Sequence, residues 1–480
     1  FNFGKKIDKS QEKLFLINRS DFDGRSDPEY YRPRHYLDIN NLEGSPYKLQ
    51  TLDKVCSRIV DGPFGSAIKA TDYVDDGVPF IRVADVTRGE GTIKTSDMIY
   101  ISEEAHQNIS RSKVTPGDVV IAKTGATMGA ASVIPDTLIE ANIRGDLAAL
   151  TAMPGILPEY IFSFINTAIG QRFFWRLNSG GTRGRVVIGN LKNYPIVIPP
   201  LTIQKKIIKK MNSAYKEKKL RDKNIIKKLD SIDDYLLNAL GLPELIGISE
   251  PDSDKLFKIK FSDLSGRFDP FYHKNIFKKI EKSIEDGPAK SYRLGDLFEI
   301  NRGGSPRPIN DYITKDENGL NWIKIGDTKG VIKYINKTKQ KIIPEGAKFS
   351  RKVIPGDFLL SNSMSFGRPY IMNITGYIHD GWLLFRDSSG ELNKDFMHAL
   401  LSSGLMYHLF SKSTIGGVVE NLNIELVKKI RVPIPRKSIQ EKVVRHVRKI
   451  HEDIEGLKKD SEEQFFIKKN EVESIILGEA

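Results

Sequence analysis

Two stretches of the chain carry apolar residues at helical spacing with no proline to break them. Between residues 201 and 240 there is neither Pro nor Gly, and Ile203, Ile207, Met211, Ala214, Ile225, Leu229, Ile232, Leu236 and Leu240 recur along the segment. Between 437 and 477, which hold a single glycine at Gly456, the residues Ile439, Val443, Val447, Ile450, Ile454 and Leu457 fall at spacings of four and three. Such a stripe is the seam of a long helix packed against another long helix. At about 1.5 Å per residue, forty residues make a rod of about 60 Å. Each rod needs a partner, and the nearest candidate is the other rod, paired antiparallel. Lys216-Glu217-Lys218-Lys219 interrupts the first seam, and Gly456, Ser461 and Gln464 weaken the second. These positions read as solvated stretches, with docking of another subunit as the alternative.

The roughly 190 residues before each rod have a different texture. Short β-rich runs (Val78 to Val83, Val119 to Ala122, Val186 to Ile188, Ile196 to Ile198) alternate with turns of Gly, Pro, Asn and Asp. Helical patterns lie between them, from Pro158 through Trp175 and again from Lys394 to Phe410. The pattern predicts α+β globules, each followed by a long helix.

The chain also repeats itself. Gly24-Arg25-Ser26-Asp27-Pro28-Glu29-Tyr30 returns 242 residues later as Gly266-Arg267-Phe268-Asp269-Pro270-Phe271-Tyr272. The same shift carries Lys13-Leu14-Phe15 onto Lys255-Leu256-Phe257, and Phe80-Ile81-Arg82-Val83-Ala84-Asp85 onto Trp322-Ile323-Lys324-Ile325-Gly326-Asp327. Val114-Thr115-Pro116-Gly117-Asp118 matches Val353-Ile354-Pro355-Gly356-Asp357, and Thr127-Met128-Gly129 matches Ser365-Phe366-Gly367. Gly180-Gly181, Ile203-Gln204 and Leu240-Gly241 match Gly416-Gly417, Ile439-Gln440 and Leu477-Gly478. The order is preserved throughout, so the chain is a tandem duplication with expected pseudo-twofold symmetry. A unit of about 240 residues is large enough to bury its own core. The expected boundaries are a first globule at 1–200, a helix at 201–242, a linker at 243–257, a second globule at 258–436 and a helix at 437–480.

Composition narrows the class. Of 480 residues, 39% are hydrophobic and 28% charged, which excludes a wholly disordered chain. A single cysteine, Cys56, excludes a disulfide framework and fits a reducing cytoplasm. No run of eighteen apolar residues suggests a membrane span. The opening Phe1-Asn2-Phe3-Gly4-Lys5-Lys6 reads as a trimmed start without a signal peptide. A surplus of 74 Lys and Arg over 61 Asp and Glu, +13 in all, suits a polyanionic partner or a merely soluble basic surface.

Globule, long helix, globule, long helix in tandem resembles the specificity subunit of type I restriction–modification systems. The residues that carry the resemblance are Gly62-Pro63-Phe64-Gly65-Ser66-Ala67-Ile68, Gly77-Val78-Pro79-Phe80-Ile81-Arg82 and the Pro-Gly-Asp turns at 116–118 and 355–357. The exits Ile196 to Gln204 and Val432 to Gln440 are similar to the family's as well. The second copy departs at Arg302-Gly303-Gly304-Ser305-Pro306-Arg307, a difference that bears on which bases are read. The resemblance implies two target-recognition domains entering the major groove of double-stranded DNA, with two helices in an antiparallel coiled coil as a fixed spacer. It further implies a bipartite, asymmetric recognition site and no catalysis in this chain. Two methyltransferase subunits, and through them restriction–translocation subunits, would be the partners. S-adenosylmethionine would bind the methyltransferase, leaving this chain without a cofactor.

Base edges are read by Arg, Lys, Asn, Gln, Ser or Thr on exposed loops, while other basic residues grip phosphates. In the first copy the candidates are Ser66, Lys69, Arg82, Lys123, Thr124, Thr182, Arg183 and Arg185, the last three flanked by Gly180, Gly181 and Gly184. In the second they are Arg302, Arg307, Lys324, Asn362, Ser363 and Arg368. Taken singly, each competes with an ordinary solvated charge; the matched set favours DNA.

Other chemistry finds little support. The paired aspartates, Asp85 with Asp327 and Asp118 with Asp357, sit in turns, where bonding to backbone amides outweighs catalysis. Phe80 and Trp322 suit a core better than a stacking platform, and His106 and His379 lack partners at metal-ligand spacing. The segment Gly117 to Thr124 comes close to a P-loop, but Ala122 stands at the second glycine position. Asp27-Pro28-Glu29-Tyr30 and Asp269-Pro270-Phe271-Tyr272 lack the second proline of amino-methyltransferases, and no glycine-rich cofactor loop precedes them. The rival classes are a self-contained DNA methyltransferase or nuclease and a symmetric adaptor that never touches DNA.

Overall fold

A computed structural model describes residues 19–22, 28–63, 67–86, 93–179, 184–248, 258–260, 268–362, 366–387, 389–415 and 421–479. The chain divides into two compact units. One holds residues 1–223 together with 457–480, the other residues 224–456. Both long helices form, over Leu201–Leu240 and Lys437–Leu477, and each contributes one half to each unit.

In the first unit a four-stranded antiparallel sheet runs in the order Cys56–Asp61, Leu147–Ala152, Val119–Ala122, Ala131–Val133. A second sheet of five short strands pairs Val78–Ile81 in parallel with Ala141–Ile143 at its centre. Val119–Ala122 is buried along its whole length. Successive side chains of a strand point to opposite faces, so Val119 and Ile121 enter one core while Val120 and Ala122 enter another. The first core holds Phe164, Phe173 and Phe174 from the helices Pro158–Ile165 and Ala168–Arg176. The second lies against the smaller sheet and includes Ile81 and Ile143.

The second unit repeats this plan. Glu299–Arg302, Trp382–Arg386, Phe358–Ser361 and Pro369–Met372 lie side by side, with Tyr334–Ile335 added at the edge. Leu320–Ile323 pairs in parallel with Gly376–Ile378 in the companion sheet. Phe358 and Leu360 face one core and Leu359 the other; Leu383 and Phe385 alternate likewise with Trp382 and Leu384. Phe80 and Trp322 are both core residues, each 1% exposed.

The long helices pair antiparallel in each unit, as their seams predict. In the first, Lys210 meets Glu471, Glu217 meets Lys468, and the rings of Tyr215 and Phe465 lie 5.2 Å apart. In the second, Lys228 bonds Asp453 at 2.9 Å, and Tyr235 stacks on His446 at 3.7 Å. Ile207, Met211, Val472, Ile475 and Ile476 belong to the first unit's core; Leu236, Leu237, Leu240 and Val443 belong to the second's. One half-helix in each unit also caps a neighbour: Glu473 accepts the Ile169 amide at 3.0 Å, and Asp233 accepts the Gly404 amide at 2.8 Å. Carboxylates there satisfy amides left open at a helix start. Seam positions do not all behave as predicted. Leu229 lies 41% exposed, although Ile225 one turn before it is buried. Lys216, Gly456 and Gln464 are exposed and fit the solvated reading, whereas Ser461 is buried as a small seam residue.

The repeated Ile-Gln pair has a local cause. Gln204 donates to the Pro199 and Gly155 carbonyls and accepts the Leu157 amide, and Gln440 donates to the Pro435 carbonyl, so each Gln ties a rod to the strand before it. Asp118 and Asp357 accept the amides of Thr115 and Ile354 at 3.0 and 2.8 Å, the turn bonding expected of them.

Truncating Ile475 to Ala should cost about 2–5 kcal/mol by opening a cavity in the first unit's core. Denaturant unfolding checks this, and an unchanged midpoint refutes the packing. His398, where the first copy has Phe162, is held neutral: burial, with Lys333 nearby, pushes its pKa down to about 4. A histidine depressed below its ordinary value near 6.5 gives full stability above that value and loses it as pH falls toward 4. Between pH 7 and pH 5 the loss should be about 2 kcal/mol. His398→Phe should flatten that part of the stability–pH profile.

Candidate nucleic-acid interface

In both units the strand of the small sheet passes into the strand of the large sheet through a tight turn. In the first unit the turn is Arg144-Gly145-Asp146, between Ala141–Ile143 and Leu147–Ala152. In the second it is His379-Asp380-Gly381, between Gly376–Ile378 and Trp382–Arg386. A glycine at the end of the neighbouring strand lies hard against each turn. A Cβ on Gly62 would fall 2.3 Å from the Arg144 carbonyl oxygen, and one on Gly303 would fall 2.1 Å from that of His379. No side chain fits at that distance, so the glycines of two otherwise dissimilar loops share one steric cause. Both amides donate across the gap, Gly62 to the Leu147 carbonyl and Gly303 to the Trp382 carbonyl.

Most described candidates gather at these turns. In the first unit the Lys123 amide donates to the Asp146 carbonyl, and the Thr124 hydroxyl to Asp146 Oδ1 at 3.2 Å. The Ile81 carbonyl, one residue before Arg82, accepts the Arg144 amide. Thr124 forms a β-bridge with Arg185, an exposed residue whose amide donates to Asn178 Oδ1. Lys69 lies elsewhere, exposed, with its amide donating to Asp72. In the second unit Arg302 Nε donates to the Asp380 carbonyl at 3.1 Å, and the Arg307 guanidinium lies 3.6 Å from Asp380 Oδ2. Asn362 donates its amide to Gly381, and the His379 amide reaches the Ile323 carbonyl beside Lys324. Arg368 is exposed, its amide bonded to the Ser361 hydroxyl. Ser66, Thr182, Arg183 and Ser363 lie outside the described residues, as do residues 24–27, 180–181, 265–267 and 416–417.

Three candidates have structural duties. The Lys123 ammonium is 1% exposed and pairs with Asp61 at 3.2 Å; it lies beneath the surface, which corrects the expectation of an outward reader. Asn362 is fully buried and accepts the Leu422 amide at 3.0 Å, so it ties two loops together instead of facing solvent. Arg82 forks onto Asp85 and also donates to the Asp97 carbonyl, and the Asp85 hydrogen bonds raise its pKa. Lys324 keeps only the backbone half of that arrangement, its amide donating to Asp327 Oδ2.

The residues at the centre, Arg144, Asp146, His379 and Asp380, are absent from the sequence-based candidates. The repeat held a signal for them: Ile143-Arg144-Gly145-Asp146 stands opposite Ile378-His379-Asp380-Gly381, polar residues following a β-run in both copies. His379 Nδ1 accepts the Gly381 amide at 2.6 Å, and burial lowers its pKa. His106 is buried between Asn142 and Glu140. Among the described residues no group of His, Cys, Asp and Glu could hold a metal ion.

Two similar α+β units with unlike charged loops around one turn, each carrying half of a helical pair, define a duplicated two-unit protein. Residues 65–231 and 288–463 match the model of the type I restriction modification DNA specificity domain, and the chain belongs to that family, with two copies of its domain. The type I restriction enzyme EcoBI specificity subunit of Escherichia coli is 23% identical over 175 residues, 36% of this chain and 34% of that protein. The match therefore spans about a third of the curated relative's length. A solved structure described as the basis of complex assembly and conformational transition of the type I R-M system shares the fold. Its TM-score is 0.52 at 15% identity over 91% of this chain and 99% of that one. The HsdS subunit from Thermoanaerobacter tengcongensis aligns over 90% of this chain and 97% of its own, with 16% identity and a TM-score of 0.36.

Gly303→Ala should push the 379–381 turn away and cost about 1–3 kcal/mol through overpacking. Hydrogen exchange at the turn amides should accelerate; unchanged exchange and stability would show that the loop yields instead.

Proposed function

We propose that this chain is the DNA-sequence-specificity subunit of a type I restriction–modification complex. Each unit reads one half of a bipartite, asymmetric DNA site, and the long helices set the gap between the halves. One observation carries this reading: the same glycine-braced turn recurs in both units, surrounded by different charged residues. The first unit offers Arg144, Asp146, Thr124 and Arg185; the second offers Arg302, Arg307, Asp380 and Lys324. Unlike surfaces on a common frame suit unlike half-sites, and basic residues beyond them supply sequence-independent grip on phosphates. The recognition domains on this reading are residues 1–200 and 258–436, with spacer helices at 201–242 and 437–480 and a linker at 243–257.

The chain does no chemistry of its own in this scheme. Two methyltransferase subunits bring S-adenosylmethionine, and restriction–translocation subunits join through the complex, all in the cytoplasm. No described helix is long and apolar enough to cross a membrane. Exposed apolar side chains on the long helices support protein partners there. They are Leu201, Leu220, Phe466 and Ile467 in the first unit and Ile226 and Leu229 in the second. Side chains of that size, out in water on a helix that already has one partner, fit a further helix-borne interface.

The test is methylome sequencing of a host that carries the intact system, with the natural chain and with both helices shortened. A bipartite motif is expected. Removing about seven residues from each helix takes out about 10 Å of rod, so the gap should shrink by about three base pairs with both half-sites unchanged. Absence of a bipartite motif refutes the function, and an unaltered gap refutes the spacer.

A further inference from the structure

A carboxylate at the middle of a surface meant for a polyanion has to be accounted for. Asp146 and Asp380 occupy that place in the two units, and their side chains are almost equally open to solvent, 48% and 47% exposed. Each is held the same way by residues that do not correspond in the repeat. Asp146 Oδ1 accepts the Thr124 hydroxyl at 3.2 Å, and its Oδ2 lies 3.9 Å from Arg144 Nε. Asp380 Oδ1 accepts the Ser305 hydroxyl at 2.9 Å, and its Oδ2 lies 3.6 Å from the Arg307 guanidinium. Thr124 follows the strand Val119–Ala122, whereas Ser305 follows Glu299–Arg302. Two different loops thus reach one arrangement: an oriented carboxylate beside a guanidinium that is too far for a hydrogen bond. Partial burial pushes the Asp380 carboxyl up, but the Ser305 hydroxyl and His379 outweigh it and hold it below the ordinary range, so it is a pure acceptor.

Such a carboxylate repels phosphates, and it also repels the acceptor atoms of guanine and thymine. The donors exposed in the major groove are the exocyclic amines, N4 of cytosine and N6 of adenine. Adenine sets its N7 acceptor beside that amine, which disfavours a second carboxylate oxygen. A G·C pair instead sets the guanine O6 acceptor beside the cytosine N4 donor, the complement of a guanidinium next to a carboxylate. We propose that Asp146 with Arg144, and Asp380 with Arg307, each read one G·C pair of their half-site. The carboxylate accepts from cytosine N4 and the guanidinium donates to guanine. This rests on the DNA-reading function proposed above and names four of its specificity-determining residues.

The experiment uses the full chain assembled with its methyltransferase subunits and selects bound duplexes from a randomised library. Asp380→Asn should relax one G·C position of the second unit's half-site by about 5- to 150-fold and leave the other half-site intact. Asp146→Asn should do the same in the first half-site. Ser305→Ala, which keeps the carboxylate but frees it, should weaken the same position as Asp380→Asn and serves if that variant folds poorly. Equal change in affinity for all sequences, with the motif kept, overturns the proposal and makes the aspartates tethers for neighbouring arginines. An adenine at the affected position overturns the cytosine assignment. If the natural complex selects no bipartite motif, the proposed function fails and this reading with it; a bipartite motif insensitive to both variants sinks this reading alone.

Discussion

Each core is finished by apolar side chains of the long helices. Val472, Ile475 and Ile476 are fully buried in the unit that otherwise runs from the start of the chain to residue 223. Leu236 and Leu240 do the same for the unit that ends at residue 456, with Leu237 buried beside them. Fully burying a side chain of this kind is worth about 1.5–3 kcal/mol, so three of them amount to much of a domain's net stability. The helix ends are not appendages. They are held by core packing, by the Glu473 and Asp233 caps, and by ion pairs whose own contribution at an exposed surface is small.

Within that frame the surface around the two turns is set by backbone more than by side chains. Strands buried on both faces fix where the large and small sheets meet, and the chain crosses between them at the 144–146 and 379–381 turns. Gly62 and Gly303 allow a neighbouring strand end to close on each turn, and carbonyls there orient the loops that carry Thr124, Arg302 and Asn362. Loops of different sequence and length can then decorate the same frame. The two copies can therefore differ in surface without differing in how they fold.

The large features were legible in the sequence because they repeat or are periodic. The seams predicted both rods and their antiparallel pairing, and the matched Ile-Gln, Pro-Gly-Asp and β-run motifs predicted two copies of one plan. What escaped was the sorting of polar residues by depth. Lys123 and Arg185 look alike as charges on glycine-flanked loops, yet the first lies under the sheet on Asp61 and the second is exposed. A neighbouring acid 62 positions away decides this, and no local pattern reveals it. Asn362 was misplaced for the same reason, its partner Leu422 being 60 positions distant. Leu229 shows the converse limit: over a long helix a seam drifts, and one turn after the buried Ile225 it is left exposed.

The division of the long helices between units has a consequence for how the chain is made. Residues 224–456 leave the ribosome as one continuous set, ahead of residues 457–480. The first unit, although most of it is translated earlier, lacks Val472, Ile475 and Ile476 until residues 457–480 emerge. The N-terminal globule is thus the later of the two to mature. A nascent chain that stops early leaves it with an open apolar flank, a ready mark for chaperones or proteases.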